Sequence, residues 1–236
     1  MKLVNKYHIN WEPFLLNKKV QKELKRIEEF LKDEKYFPSE ERVLRFLEQD
    51  PKTAKAIIVG MEPYPSSFNE SGIVIPEATG RSFEVASIKQ WTDKFKQTSL
   101  RNILKAIYLT ETGQKISMDE LREKIQNRSF PISEPNQWFD KLEEQGVIFL
   151  NATLTVRQYE VDTHTKLWEN FMDYLITYIE SVNKDVVWCL LGTKARDRFH
   201  PKVDETKAIV TLHPRVDAFI QTDLFTRLKD RISFVV

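Results

Sequence analysis

Cysteine is almost missing from this sequence: the single residue, Cys189, lies inside "VVWCLL". A lone cysteine excludes an internal disulfide and fits a reducing, cytoplasmic setting. Within an apolar run it reads as core rather than as a thiol nucleophile. Glycine is scarce, with six residues, and no glycine-rich phosphate loop is present. No serine or cysteine with a paired base is apparent. The four histidines lie away from cysteine and acids at ligand spacing, so no structural zinc is expected. No apolar stretch approaches the roughly 18 residues that span a bilayer. The start, "MKLVNKYHIN", lacks the apolar run of a signal peptide. Excess charge is missing as well: 36 Lys and Arg against 35 Asp and Glu leave a net charge of +1. Global charge therefore announces no nucleic-acid ligand, while a local basic face stays open.

What is present suits one α/β domain over residues 1–236, with N-terminal helices in 1–50 and a sheet-and-helix core in 54–236. Hydrophobic residues make up 41% of the chain and charged ones 30%, enough for a core in a chain of this length. "NKKVQKELKRIEEFLKDE" carries Val20, Leu24, Ile27, Phe30 and Leu31 at helical spacing. "PSEERVLRFLEQ" opens on a helix-start signal and predicts a second helix. Four runs read as strands: "AKAIIVG", "GVIFLNATLTV", "DVVWCLLG" and "TKAIVTLHP". Their nearly unbroken apolar character suits strands covered on both faces. Helical segments separate them ("SLRNILKAIYL", "NQWFDKLEEQ", "LWENFMDYLITYIESV") and "TDLFTRLKDRI" follows. This alternation predicts a parallel sheet flanked by helices.

Three of these runs end on, or carry, a group capable of chemistry: Glu62, Asn151 and His213. In open α/β sheets the ligand crevice lies outside the carboxyl ends of the strands. If the strands are parallel neighbours, an acid, an amide and an imidazole meet there. Each alone has a plain reading as loop, turn former or corner, and His200-Pro201 repeats the His-Pro pair elsewhere. Together they suit hydrolysis of an N-glycosidic bond. The amide offers one donor and one acceptor edge to a base such as uracil. The imidazole can stabilise a developing oxyanion. The carboxylate can orient water and stabilise a cationic sugar.

At these residues the chain resembles the uracil-DNA glycosylase family. "IIVGMEPYPS" is similar to the water-activating motif Gly-Gln-Asp-Pro-Tyr-His, and "GVIFLNATLTV" resembles the uracil-reading strand. "HTKLWENFMDYLI" looks like the helix after it, and "LHPRVDAF" like the His-Pro-Ser-Pro-Leu insertion loop. The resemblance is colinear from about Trp11 onward. It implies a four-stranded parallel sheet between helices and a monomeric enzyme that flips uracil out of single- or double-stranded DNA, with no metal or organic cofactor. It assigns Glu62 and His213 to catalysis, the latter at O2 of the leaving base. Met61, Tyr64, Phe83 and Asn151 would bind the base: Tyr64 against C5, Phe83 stacked, and Asn151 selecting uracil over cytosine. Ser99, His164, Arg215 and Val216 would contact DNA. A proteinaceous glycosylase inhibitor is an expected further partner.

The pattern departs from the family in five places. Glu62 stands for aspartate, and Met61 and Pro65 for glutamine and histidine. The Tyr64–Phe83 segment is longer, which would allow a pocket reshaped for another modified pyrimidine. Asp217 falls at the wedge leucine, where a carboxylate is repelled by phosphate, so Arg215 or Val216 would compensate. "ETGQKISMDELREKIQNRSFPISEP" is also longer and predicts an added surface helix. The acid changes at 62 and 217 keep open a non-catalytic relative that binds DNA or an inhibitor.

Overall fold

Four strands build the centre of the fold: β1 (Ala56–Gly60), β2 (Val147–Asn151), β3 (Val187–Leu191) and β4 (Ala208–Thr211). In this computed structural model, which describes residues 2–236, they form one sheet in the order β2-β1-β3-β4, every pair parallel. Their period-2 alternation divides the core into two halves. Ile57, Val59, Ile148, Leu150, Trp188 and Leu190 face one layer. Ala56, Ile58, Val147, Phe149, Cys189 and Leu191 face the other. Both faces being covered explains why these strands are apolar at almost every position. Cys189 is fully buried, and burial pushes its thiol up to about 12, so it remains a core residue.

Helix α1 (Lys18–Leu31), capped by the Asn17 side chain on the Lys19 N–H, buries Val20, Leu24, Ile27 and Leu31 against the first layer. Phe30 departs from that stripe and is 45% exposed. The helix expected over "PSEERVLRFLEQ" is two 3-10 turns instead, Glu40–Arg42 and Arg45–Glu48. Its apolar residues Val43, Leu44, Phe46 and Leu47 are all buried, and tertiary packing overrides the helical pattern. The second layer takes α2 (Thr98–Thr112), ended by Gly113 at φ 71°, and α4 (Pro135–Glu144). Between them α3 (Met118–Gln126) is the added surface helix, started by a reciprocal Ser117–Glu120 capping box. Helix α5 (Thr165–Val182) buries Trp168, Phe171, Met172 and Leu175. Each such side chain contributes about 1.5–3 kcal/mol of burial energy. The short helices α6 (Thr193–Phe199) and α7 (Leu224–Leu228) complete the order.

Two further strand pairs are irregular additions. Val156–Arg157 leaves the run that was read as one strand and pairs antiparallel with Tyr36–Phe37. The extra length before Phe83 is an antiparallel hairpin, Ser67–Glu70 with Ile73–Pro76, turning at Ser71-Gly72. All five tryptophans (Trp11, Trp91, Trp138, Trp168 and Trp188) have a hydrogen-bond acceptor for the indole N–H. These acceptors allow large aromatic bodies to be buried without an orphaned donor.

Candidate active site

The register Gly60↔Asn151 brings the carboxyl ends of β1 and β2 side by side. Beyond them opens a cleft of about 570 Å³ lined by Met61, Glu62, Tyr64, Phe83, Asn151 and His213, among others. Ser99, Arg215 and Val216 lie on its walls. The structure thus gathers nine of the ten residues expected at the site.

The floor is tight. A Cβ on Gly60 would lie 2.6 Å from Asn151 Oδ1 and 2.8 Å from Ser82 Cβ, with the Phe83 ring 3.6 Å away. Only glycine lets these three groups converge. Asn151 is 4% exposed and holds its amide at the bottom of the cleft. Ser82 donates its hydroxyl to the Ile58 carbonyl at 2.9 Å, which anchors the next residue, Phe83. Phe83 is 8% exposed and adopts φ 66°, a left-handed conformation that is uncommon for a bulky residue. Its neighbours hold it there. The buried Arg81 guanidinium binds Glu143, Asp140 and Glu84. Burial opposes that charge, but the three carboxylates outweigh it and hold the guanidinium above its ordinary pKa.

On the opposite wall Tyr64 is framed by Pro63 and Pro65. Burial pushes its hydroxyl above the usual range, so the ring stays neutral. His213 follows β4, and its Nδ1 accepts the Arg215 backbone N–H at 3.0 Å. That bond places the ring proton on Nε2, the remaining donor of a neutral imidazole. Burial, and then Arg215, lower its pKa and favour that neutral form. Gly192, at φ 97°, makes room for the ring: a Cβ there would stand 2.9 Å from the His213 Cβ.

Glu62 is half-buried. Burial raises its pKa, and the backbone N–H of Asp162, at 2.9 and 3.2 Å from its two oxygens, pulls the other way. Asp162 adds a like charge and Lys194 an opposite one. Asp162, Lys194, Thr193 and Val161 also line the cleft and were not anticipated. Nothing in the strand-end pattern pointed to them, because they lie on the long turn before α5 and on the short α6.

His164 is the expected site residue that the structure removes. It is fully buried, with Nδ1 2.9 Å from Thr155 Oγ1 and its ring edge-on to Phe30 at 5.5 Å. Thr155 also accepts the Trp168 indole N–H. The histidine therefore braces the start of α5 and has no surface with which to meet a phosphate. Ser99 lies on the first turn of α2 but not at its N-cap, which is Gln97.

An open parallel sheet thus carries acid, amide, imidazole and aromatic side chains at its carboxyl edge, where open α/β folds place their ligand crevice. The profile of the Uracil DNA glycosylase superfamily matches residues 47–223, and the chain belongs to that family. It is 30% identical to a uracil-DNA glycosylase of Buchnera aphidicola over 89% of this chain and 83% of the relative. It is 27% identical to one from Leuconostoc citreum, over 88% and 83%. The fold is similar to the wild-type UNG crystal structure from Nitratifractor salsuginis, with TM-score 0.74 and 23% identity over 98% of this chain and 96% of that one. A mimivirus uracil-DNA glycosylase superposes with TM-score 0.70 at 21% identity over 95% and 84%. A mimivirus UNG variant in complex with UGI is also similar, with TM-score 0.72 at 22% identity over 98% and 88%.

Proposed function

We propose that this protein is a DNA glycosylase that hydrolyses the N-glycosidic bond of deoxyuridine after flipping the nucleotide into the cleft. The convergence of Glu62, Asn151 and His213 on one cleft with Tyr64 and Phe83 as its walls carries this reading. The Asn151 amide reads the base edge that uracil presents and cytosine does not. Phe83 stacks on the ring, and Tyr64 fills the space at C5. As the bond to C1′ stretches, charge grows on uracil O2. The neutral His213 Nε2–H donates to it, which stabilises charge at the moment it forms. The Glu62 carboxylate faces the cationic sugar and orients the attacking water. Ser99, Arg215 and Val216 bind the DNA flanking the extruded nucleotide.

The hairpin between Tyr64 and Phe83 contributes no residue to the cleft lining. This removes the motive for a pocket reshaped toward another pyrimidine. A proteinaceous inhibitor is a second proposed partner, supported by the similar UNG solved in complex with UGI. The protein acts as a cytoplasmic monomer in this proposal.

Uracil-containing single- and double-stranded oligonucleotides, followed by alkaline cleavage of abasic sites, test the activity, with Glu62→Ala as control. Strand cleavage with the wild type and its loss in the control are expected. No abasic product on either substrate at high enzyme concentration sinks the proposal. Tight DNA or inhibitor binding without turnover would mark a non-catalytic relative.

A further inference from the structure

We propose that Asp162 and Lys194 are positioning residues: they form a lock that holds the Glu62 carboxylate where it can direct water at the sugar. The inference rests on the glycosylase reading above. Glutamate is one methylene longer than the aspartate of the motif it resembles and has one more torsion. An untethered carboxylate there would sample several positions. A displacement of 1 Å at a reacting group costs on the order of a hundredfold in rate.

Both Glu62 oxygens share one donor, the Asp162 N–H, at 2.9 and 3.2 Å. That donor sits on a residue at φ 58°, so its direction depends on the surrounding turn keeping an unfavoured shape. The turn is closed at its base by the Arg157 N–H on Thr163 Oγ1 at 2.9 Å. It is tied to the chain beside Tyr64 by the Tyr159 N–H on the Pro65 carbonyl at 2.7 Å. Its far side is held by Lys194 Nζ, 2.8 Å from each Asp162 carboxylate oxygen. Lys194 stands two residues after Gly192, whose missing side chain leaves room for the His213 ring. The lock therefore joins the turn that contacts the acid to the helix that starts beside the imidazole.

The ion pair is solvent-exposed, with 61% of the lysine and 54% of the aspartate side chain accessible. Such pairs add little to stability. Its chelated geometry, at the turn that hydrogen-bonds Glu62, is better explained by placement. The charged and titratable groups on the same cleft are Asp162, Lys194, His213 and Arg215, with Tyr64 neutral.

The test compares Asp162→Asn, Lys194→Ala and Lys194→Arg in single-turnover and steady-state assays on a uracil-containing single strand. It also follows the Glu62 carboxyl titration by carbon NMR without substrate. Asn tolerates the positive φ, so Asp162→Asn removes the ion pair and keeps the turn. Asp162→Asn and Lys194→Ala are expected to lower kcat on the order of ten- to a hundredfold with KM within about twofold. Lys194→Arg restores most of the rate.

The pH response separates placement from simple charge. A loosened N–H no longer favours the carboxylate, so both variants move the acid limb of kcat and the Glu62 titration upward. A purely through-space effect sends them in opposite directions, down for Asp162→Asn and up for Lys194→Ala, and overturns the lock. So does a rise in KM at unchanged kcat, which would make Lys194 a phosphate contact. Unfolding midpoints more than about 5 °C below wild type would make the pair structural and also overturn it. If the wild type releases no uracil, the glycosylase reading fails by itself. The substrate-free titration then decides the lock: a common upward shift supports it, and opposed or absent shifts overturn it.

Discussion

The buried side-chain amide of Asn102, on α2, holds the turn after His213 from beneath. It donates to the Pro214 carbonyl at 2.9 Å and to the Asp217 carboxylate at 3.3 Å. Asp217 is thereby turned toward α2, and Val216, 45% exposed, is left as the apolar tip beside Arg215. Val216→Ala is expected to lower kcat/KM on duplex DNA about tenfold, the equivalent of losing about 1–2 kcal/mol of wedge burial, and to spare the single strand. Asp217→Ala should tighten DNA binding at low salt, because it removes a negative charge next to Arg215 and Val216. Parallel assays on the two substrates check both.

In the proposed glycosylase, Tyr64 gates the C5 side of the base. Tyr64→Ala should lower uracil release and admit thymine, so that the preference for uracil over thymine falls at least about tenfold. Chromatography of the free bases measures the ratio directly. An unchanged preference would place the gate elsewhere.

Glu62 carries a pKa raised mainly by burial. A carboxyl group raised in the folded state favours folding when protonated, and that contribution is lost as pH rises through the folded value. Glu62→Gln should therefore be inactive yet melt higher than wild type at pH 7. The gain should vanish below the ordinary carboxylate pKa of about 4.3. Scanning calorimetry across pH 4–8 reads the difference.

Gly60→Ala places a methyl group against Asn151 Oδ1 and Ser82 Cβ. The variant should fold with a loss of about 1–3 kcal/mol. Its loss in kcat/KM should be larger than the stability change explains, because the amide must move. Denaturant titration alongside the cleavage assay separates the two effects.

Arg81 forms ion pairs with three carboxylates next to Phe83, two of which Arg45 also contacts. Arg81→Met removes the ion pair of the buried Glu143, while Glu84 and Asp140 keep Arg45, and should cost about 3–5 kcal/mol. The loss should shrink at low pH, where those acids protonate.

The sheet and the strand-end residues were legible because each follows from a local pattern: continuous apolar strands and polar groups where they stop. Glu62, Asn151 and His213 follow to one crevice once the strands are parallel neighbours. The 3-10 turns at Glu40–Glu48 were not legible, since Val43, Leu44, Phe46 and Leu47 are apolar enough for a helix and only tertiary packing decides against it. His164 was misread because the same imidazole suits a phosphate or a buried threonine, and burial is a tertiary property. Asp162 and Lys194 escaped notice for a related reason: the contact that matters runs through a backbone N–H, which every residue but proline possesses.

The close approach at Gly60 also limits how such a site can diversify. The bottom of the cleft is set by two adjacent strands and admits no side chain at Gly60. Its sides hang on loops, one of which already carries an eight-residue pair of strands and their turn that contribute nothing to the lining. Descendants of this chain would therefore retain the edge-reading group and vary what may project from the base, so tolerance for new substituents would arise before a change of nucleobase.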